Sequence, residues 1–519
     1  MIAMEYMAPV MFGSLIIVML IGFPVAFSLA GLGLGFGYFA ISQGFFNEAF
    51  MGNLPIRLFG VLSNELLLSI PFFTFMGAIL ERCGLAEDLL EGTGQLFGSK
   101  PGGLGFAVII VGAILGAITG TVAASVIAMG VISLPVMMRY GYNMRYATGV
   151  IAASGTITQL IPPSLVLVVL ADQLGRSVGD MYKGAIGPSM LQTAMFLLFT
   201  LGVVLFRPQW VPPLPEEART LKGAALIKRV LWGMLPSIVL IFLVLGTLFM
   251  GLATPTEAGA LGAFGGMALA ALHRRLSAQL IWQAMDSTFR VTTMVIFILL
   301  GSSVFSMVFQ GVDGNKWIEH MLSNLPGGAV GFLIVVNIFV FFLAFFLDFF
   351  EIAFIIVPLL APVAQKLGID LVWFGVLLCV NMQTSFMHPP FGFALFYLRG
   401  IADQIHKNGA IPRPIESKDI YLGAIPWVLM QLMLVAVVIF WPGSVTYWLD
   451  KEEVVNTDDV KIEMKIEDTG GADVAPVMAE SSASAASASE PGLPTPDAGD
   501  DLDPTRAVQD ALGKAASAP

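Results

Sequence analysis

The chain has 519 residues, of which 56% are hydrophobic and 12% charged, about half the roughly 25% charged fraction usual in soluble globular proteins. That balance excludes a soluble enzyme built on one or several cores and points to an all-α polytopic membrane protein. The formal net charge of −11 sits almost wholly in residues 451–519, which hold 15 Asp/Glu against 5 Lys/Arg; it describes a tail, and no basic patch offers itself to nucleic acid.

The first apolar stretch runs from about residue 8 to residue 41 with no basic region before it. It is too long for a signal peptide and reads as a retained membrane segment, with a span near 9–41. Roughly 20 apolar residues cross a bilayer, and further spans are predicted near 60–82, 145–171, 188–206, 227–250, 254–273, 289–311, 372–398 and 422–446. Two stretches, 103–138 and 328–365, are too long for one ordinary span. Each carries a break, at Gly120-Thr121 in the first and at Asp348 and Glu351 in the second. They read as pairs of short helices, full hairpins or re-entrant ones, since irregular backbone is tolerated at membrane depth where it faces a cavity. Thr254-Pro255-Thr256-Glu257 opens the span 254–273 as an N-cap, a proline at N1 and a capping-box glutamate. Residues 1–450 thus form the membrane domain. Residues 451–519 form an acidic, low-complexity tail, expected to be disordered over 475–519, where Ala, Ser, Pro, Gly and Asp dominate.

Residues 133–164 align without a gap on 360–391 at an offset of 227. Pro135 meets Pro362, Gly141 meets Gly368, and Pro162-Pro163 meets Pro389-Pro390. A loop proline, a turn glycine and a Pro-Pro break coincide, so the chain is expected to hold two similar halves. The first covers about 60–206 and the second about 287–446, with scaffold helices 227–273 between them. Arg207, Arg219, Lys222, Lys228 and Arg229 lie between the halves, and His273-Arg274-Arg275 follows two spans later. Basic loops mark the cytoplasmic side. Counted outward from them, the hairpin 103–138 opens to the cytoplasm and the hairpin 328–365 to the opposite side. Inverted halves are the architecture of secondary transporters.

In each half a helix meets a polar, proline-broken segment. The first is Ser154-Gly155-Thr156-Ile157-Thr158-Gln159, before Pro162-Pro163-Ser164. The second is Asn381-Met382-Gln383-Thr384-Ser385, before His388-Pro389-Pro390. Prolines remove backbone donors and free carbonyls upstream. Freed carbonyls with hydroxyls suit a desolvated Na⁺, and half-helix N-termini favour an anion. A pair of kinks with hydroxyls bonded back to the helix is the alternative; two such segments at matching positions favour a site. Asp348 is ionisable at membrane depth, which is costly and functional by default. Cation ligand, proton carrier and partner for a helix end are all open to it. Glu351 lies with it or in water at the hairpin edge. His388 touches substrate or ion, or only packs.

Cys83 and Cys379 read as buried thiols. Two cysteines make neither a disulfide framework nor a Cys-rich site, so no transition-metal site is expected, and no cofactor beyond a coupling ion. No GxxxxGK[ST] or HExxH occurs, so the chain is expected neither to hydrolyse ATP nor to act as an enzyme. An intramembrane hydrolase would need a second aspartate at the depth of Asp348, and none presents itself. A channel is the remaining rival, but inverted halves favour alternating access.

At these residues the chain resembles the large membrane subunit of the tripartite ATP-independent periplasmic (TRAP) transporters, from about residue 8 to residue 446. The resemblance is carried by LLLSIPFFTFMGAIL at 66–80, GTVAAS at 120–125, SGTITQLIPPS at 154–164, ATPTEAGA at 253–260, FLDFFEIAFIIVPLLAPV at 346–363 and QTSFMHPPFGFALFYLRG at 383–400. It implies an elevator-type secondary transporter of the bacterial inner membrane, with two oppositely oriented re-entrant hairpins on a moving domain. It implies Na⁺-driven import of a small organic anion, commonly a carboxylate. It also implies a separate small four-helix membrane subunit and a soluble periplasmic binding protein as partners, besides membrane lipids. A one-component ion-coupled carboxylate carrier of similar fold, or an anion channel, is the alternative. Carried over, substrate contacts fall on Gly120, Thr121, Ser125, Thr158, Ser164, Gln383, Thr384, Ser385 and His388. Ion contacts fall on Ser154, Gly155, Thr156, Asp348, Asn381, Met382 and Thr384, with Pro162, Pro163, Pro389 and Pro390 as the helix breaks. The acidic tail departs from the family's core pattern. So does Phe349-Phe350-Glu351, which is bulky for a generic dicarboxylate carrier and points to a more apolar carboxylate.

Overall fold

The computed structural model describes residues 4–119, 121–219, 223–323, 325–390, 392–411 and 413–450. Gly120 of the first hairpin tip and the tail 451–519 lie outside the described residues. Among the described residues the regular structure is helical, with no strand. In lipid no water satisfies backbone groups, and a helix pairs them internally. Among the described residues, eight helices are long and apolar enough to cross a membrane. Phe206, Phe242, Phe264, Phe289 and Phe440 on these and neighbouring helices are exposed, as side chains facing acyl chains are.

Several predicted spans change shape. The stretch 9–41 is two helices, Met4–Ile21 and Val25–Ser42, because Gly22 takes a left-handed φ of +92° and Pro24 offers no amide donor. The span 60–82 arrives through a bend of 46° between Glu48–Leu62 and Glu65–Arg82. The spans 188–206 and 289–311 begin earlier, as Val178–Phe206 and Ala278–Gly311. Ser177 and Ser277 cap polar first turns that an apolar count leaves out. Leu85–Phe97, Gly314–Ser323 and Phe393–Lys407 are among the helices that lie outside the predicted spans altogether or in part. All are short and carry charges, so no run of 20 apolar residues announces them.

The offset of 227 reappears in the elements. It carries Val122–Arg139 onto Phe349–Lys366, and the start of Met144–Thr156 onto the start of Leu371–Met387. Gly141 and Gly368 both turn with positive φ, +78° and +69°. Two residues later Asn143 and Asp370 each cap the next helix through a side-chain oxygen. Both Pro-Pro bonds are cis. The halves interlock. Met144–Thr156 packs on Ser417–Phe440, the last long helix of the other half, and Leu371–Met387 packs on Val178–Phe206.

Asp88, buried on Leu85–Phe97, ties this short helix to the helices between the halves. Its carboxylate meets Arg229 at 3.0 Å and Arg275 at 3.2 Å, and Arg275 also donates to the Cys83 carbonyl at 2.7 Å. Asp88→Ala leaves both guanidinium groups without this carboxylate and is expected to cost about 2 kcal/mol. A lower thermal unfolding midpoint of the purified protein checks this; an unchanged midpoint would reduce the cluster to a solvent-screened surface contact.

Candidate functional site

The first broken helix, Met144–Thr156, tightens into a 3-10 turn at Ile157–Gln159 and stops before Pro162-Pro163; Leu165–Leu174 then starts anew. The carbonyls freed there are taken up. Gln159 O accepts from the Ser164 hydroxyl and from Cys379 Sγ at 3.4 Å, and Leu160 O accepts from Ser189 Oγ at 3.1 Å. Thr156 and Thr158 donate back to Ala153 O and Gly155 O, both at 3.0 Å. In the second half Thr384 donates to Asn381 O at 2.6 Å and Ser385 to Phe341 O at 3.1 Å. The threonine hydroxyls therefore do bond back to their own helix, as kinks require, while Ser385 reaches a carbonyl of the neighbouring helix Gly328–Leu343. The amides do not fit that account.

Gln431 Nε2 donates to Thr156 Oγ1 at 3.1 Å, and Gln192 Nε2 donates to Gln383 Oε1 at 2.7 Å. Thr156 and Gln383 are the same repeat position, 227 residues apart. Each is therefore bridged to the last long helix of the opposite half. On the helices of the two breaks and those packed on them, Ser154 Oγ, Gln431 Oε1, Gln192 Oε1, Gln383 Nε2 and Asn337 Oδ1 are buried without a partner among the described residues. Asn381 Nδ2 donates to Asn337 O at 2.8 Å. A buried polar atom left unpaired costs about 1–3 kcal/mol, and a native cluster of them calls for an account. Gln192, Gln431 and Asn337 are absent from the residues singled out above. Their only signal in the sequence is a lone amide inside an apolar span.

Both hairpin tips reach one cavity of about 290 Å³. The first tip supplies Thr121, Val122 and Ala123, the second Asp348, Phe349 and Phe350, and the first break supplies Gln159. Leu165, Val166, Phe386, Phe393 and Tyr397 complete the wall. Three helices begin here: Val122–Arg139, Leu165–Leu174 and Phe393–Lys407. None has a side-chain hydrogen bond at its N-cap, which is Thr121, Ser164 and Gly392 respectively. Uncapped N-termini present free amide hydrogens and a partial positive charge. Gln159, itself buried, lines the same cavity, and its Oε1 has no partner among the described residues.

The fourth helix start at this cavity is closed. Asp348 Oδ1 accepts from Glu351 N, and Glu351 Oε2 accepts from Asp348 N, both at 2.9 Å. This is the capping box that Thr254 and Glu257 also make. Of the roles open to Asp348, partner to a helix end is therefore present, and the carboxylate still lines the cavity. The helix it caps passes through a π turn at Ile352–Ile356, where Ser302 donates to Phe354 O.

The predicted residues divide accordingly. Thr121 and Asp348 face the cavity. Ser154, Thr156, Asn381, Met382, Gln383 and Thr384 are buried at the breaks. Gly155 lets Val126 of the first hairpin approach, since a Cβ there would lie 2.3 Å from its Cγ2. Ser125 is buried within the hairpin helix. Thr158 backs the hairpin at Gly116, where a Cβ would come 2.9 Å from Thr158 Cα. Ser164 spans the first break, and its carbonyl accepts from Tyr182 Oη at 3.3 Å. The His388 ring packs between Phe341 and Phe345, with centroids 5.3 and 5.0 Å away, and its buried Nδ1 has no partner among the described residues. Phe386, Phe393 and Tyr397 belong to the cavity wall without having been singled out as contacts.

Known proteins resemble this arrangement across the membrane domain. A C4-dicarboxylate TRAP transporter large permease protein of Rhodobacter capsulatus is 28% identical over 451 residues, covering 84% of this chain and 97% of its own. A sialic acid TRAP transporter large permease protein of Vibrio cholerae is 25% identical, covering 81% and 93%. A 2,3-diketo-L-gulonate TRAP transporter large permease protein of Escherichia coli is 25% identical, covering 73% and 85%. Among solved structures, the YdaH transporter of Alcanivorax borkumensis shares the fold. Its TM-score is 0.55 at 15% identity, over 75% of this chain and 87% of that one. The family model described as tripartite ATP-independent periplasmic transporter, DctM component, matches residues 12–444. With a match over that length, the chain belongs to the DctM component of the TRAP transporters, multi-pass proteins of the inner membrane.

Proposed function

We propose that this chain imports a small organic anion, driven by Na⁺ and moving its load by an elevator motion. The observation that carries the reading is the convergence of both hairpin tips and three uncapped helix N-termini on one cavity. Amide hydrogens at helix N-termini bind an anion without any basic side chain. The relatives named for C4-dicarboxylates, sialic acid and diketogulonate all concern organic anions, which supports the substrate class. The coupling ion is assigned to the breaks, with Ser154, Thr156 and Gln431 offering oxygens at the first and Asn381, Gln383, Gln192 and Asn337 at the second, and with Asp348 as its charged ligand at the cavity that the first break also lines. Neutral oxygens at unwound backbone suit Na⁺. A separate small membrane subunit and a periplasmic binding protein complete the system in this reading. The two halves are taken as inverted, so that the tips cross most of the membrane while the helices of 227–273 hold still.

Uptake into proteoliposomes holding this chain and the small subunit tests the proposal, with and without the binding protein and an inward Na⁺ gradient. Dependence on both is the expected result. Uptake without the binding protein would make the chain a one-component carrier, and flux indifferent to both would make it a channel. Thr156→Ala combined with Thr158→Ala is expected to raise the Na⁺ concentration for half-maximal uptake about tenfold, since one lost ligand contact of about 1.4 kcal/mol is a factor of ten. An unchanged Na⁺ dependence would leave these threonines as plain kink residues.

A further inference from the structure

The cavity at the hairpin tips has walls of uneven chemistry. Five aromatic side chains line it: Phe349 and Phe350 from the second tip, and Phe386, Phe393 and Tyr397 from around the second break. They come partly as pairs. The Phe349 and Phe350 rings lie 5.1 Å apart edge to face, and the Phe386 and Phe393 rings 5.9 Å apart. Leu165 and Val166 add aliphatic surface. The polar side chains are Thr121, Gln159, Asp348 and the Tyr397 hydroxyl, and no Lys, Arg or His is among the described lining residues.

Positive potential comes only from helix N-termini, each equivalent to a fraction of a charge. That is enough for one carboxylate. A second carboxylate on the same small molecule would face ring surfaces or Asp348, and an unpaired buried charge is strongly disfavoured. A planar apolar body meets the opposite situation. Rings pack favourably on rings in stacked or edge-to-face contact, and small-molecule sites are mostly apolar with a few placed polar groups. We infer that the substrate is a monocarboxylate with an aromatic or bulky apolar body, its carboxylate at the uncapped helix N-termini and its body between Phe349-Phe350 and Phe386-Phe393. The inference rests on this cavity being the transport site proposed above.

The test is direct binding to the full chain, purified with its small membrane subunit and reconstituted in nanodiscs, without the binding protein, whose own selectivity would mask that of the cavity. The probes are labelled phenylacetate, 4-hydroxybenzoate, cinnamate, 4-methyl-2-oxopentanoate and succinate, in NaCl and in choline chloride. The expected result is Na⁺-dependent binding of at least one monocarboxylate of the panel that succinate in large excess does not displace. Phe350→Ala and Phe386→Ala are expected to weaken that binding about tenfold or more, and Phe350→Leu, which keeps apolar bulk, to weaken it less. Na⁺-dependent binding of succinate, with the monocarboxylates absent or equally bound, would overturn the inference and leave the transport site standing. No Na⁺-dependent binding of any probe, together with no Na⁺-driven uptake of any carboxylate by the complete system, would overturn both.

Discussion

Asp348→Ala is expected to abolish ion-driven uptake while the protein still folds and inserts. The two halves of that expectation have different causes. Asp348 closes the start of the second hairpin's inner helix through the bond from Glu351 N at 2.9 Å. Losing an N-cap costs typically about 1 kcal/mol, too little to unfold a domain of this size. Function loses more. The alanine removes the only carboxylate among the described residues of the cavity wall and adds a fourth uncapped N-terminus to the three already there. The tip then carries excess positive potential and no ligand charge for a cation. Asp348→Asn separates the two effects. An amide oxygen still accepts the Glu351 hydrogen, so thermal stability should return to near the unmutated level. Na⁺-driven uptake should stay low, by about tenfold to a hundredfold, since an interaction with a charged group contributes about 1.5–3 kcal/mol. Wild-type uptake by the asparagine variant would assign Asp348 to capping alone. Glu351→Gln is the companion measurement. Its carboxylate bonds to Asp348 N at 2.9 Å, a bond the amide oxygen of Gln preserves. A smaller loss than for Asp348→Asn is expected.

This pair also shows where sequence reading reached and where it stopped. Asp348 and Glu351 stand three apart before an apolar run, as Thr254 and Glu257 do, and both pairs form the same reciprocal cap. The cap at Asp348 was legible by the same rule. Its depth in the membrane opens roles for the charge as well, so the partner to a helix end stands in the sequence as one of three roles. The repeat was legible because its markers are local: a left-handed glycine, a cap and a Pro-Pro bond, each fixed by its own few residues. The short helix Leu85–Phe97 was not, because its stability lies in Asp88 reaching Arg229 and Arg275, 141 and 187 residues away. The same holds for the buried amides. Gln192 meets Gln383 across 191 residues, and Gln431 meets Thr156 across 275. A lone glutamine in an apolar span is visible in a sequence, but the partner it crosses the molecule to find is set by packing.

Packing at one crossing fixes that geometry, and Gly423→Val is expected to destroy it. Gly423 lies on Ser417–Phe440 where this helix crosses Met144–Thr156. A Cβ at Gly423 would stand 2.2 Å from the Arg145 carbonyl oxygen and 2.8 Å from Thr148 Oγ1. The facing Gly149 is as tight, with a Cβ 2.2 Å from the Gly423 carbonyl oxygen and 2.5 Å from Trp427 Nε1. The obstacles are mostly backbone, which no rotamer change moves aside, so the helices must part. Along the same seam lie the Arg145–Asp419 ion pair at 2.9 Å, Trp427 wedged edge-on against Phe196 and Phe199 at 5.1 and 5.0 Å, and the Gln431–Thr156 bond at 3.1 Å. Parting the helices loosens all of them. Small residues at membrane helix crossings exist to allow this approach, and overpacking a tight interior costs typically about 1–3 kcal/mol, occasionally more. With the added Cβ at Gly423 only 2.2 Å from a backbone carbonyl oxygen and the valine methyl groups still to be placed, the upper end is expected, seen as a large fall in thermal midpoint and in monodisperse protein. Gly202→Val is the control. It changes the same residue type in a helix of similar length, and a Cβ at Gly202 has nothing within 4 Å. It should behave like the unmutated protein. If Gly423→Val is equally mild, the crossing is looser than these contacts require, and the amide bridge at Thr156 cannot be what holds the first break in register with the last long helix of the other half.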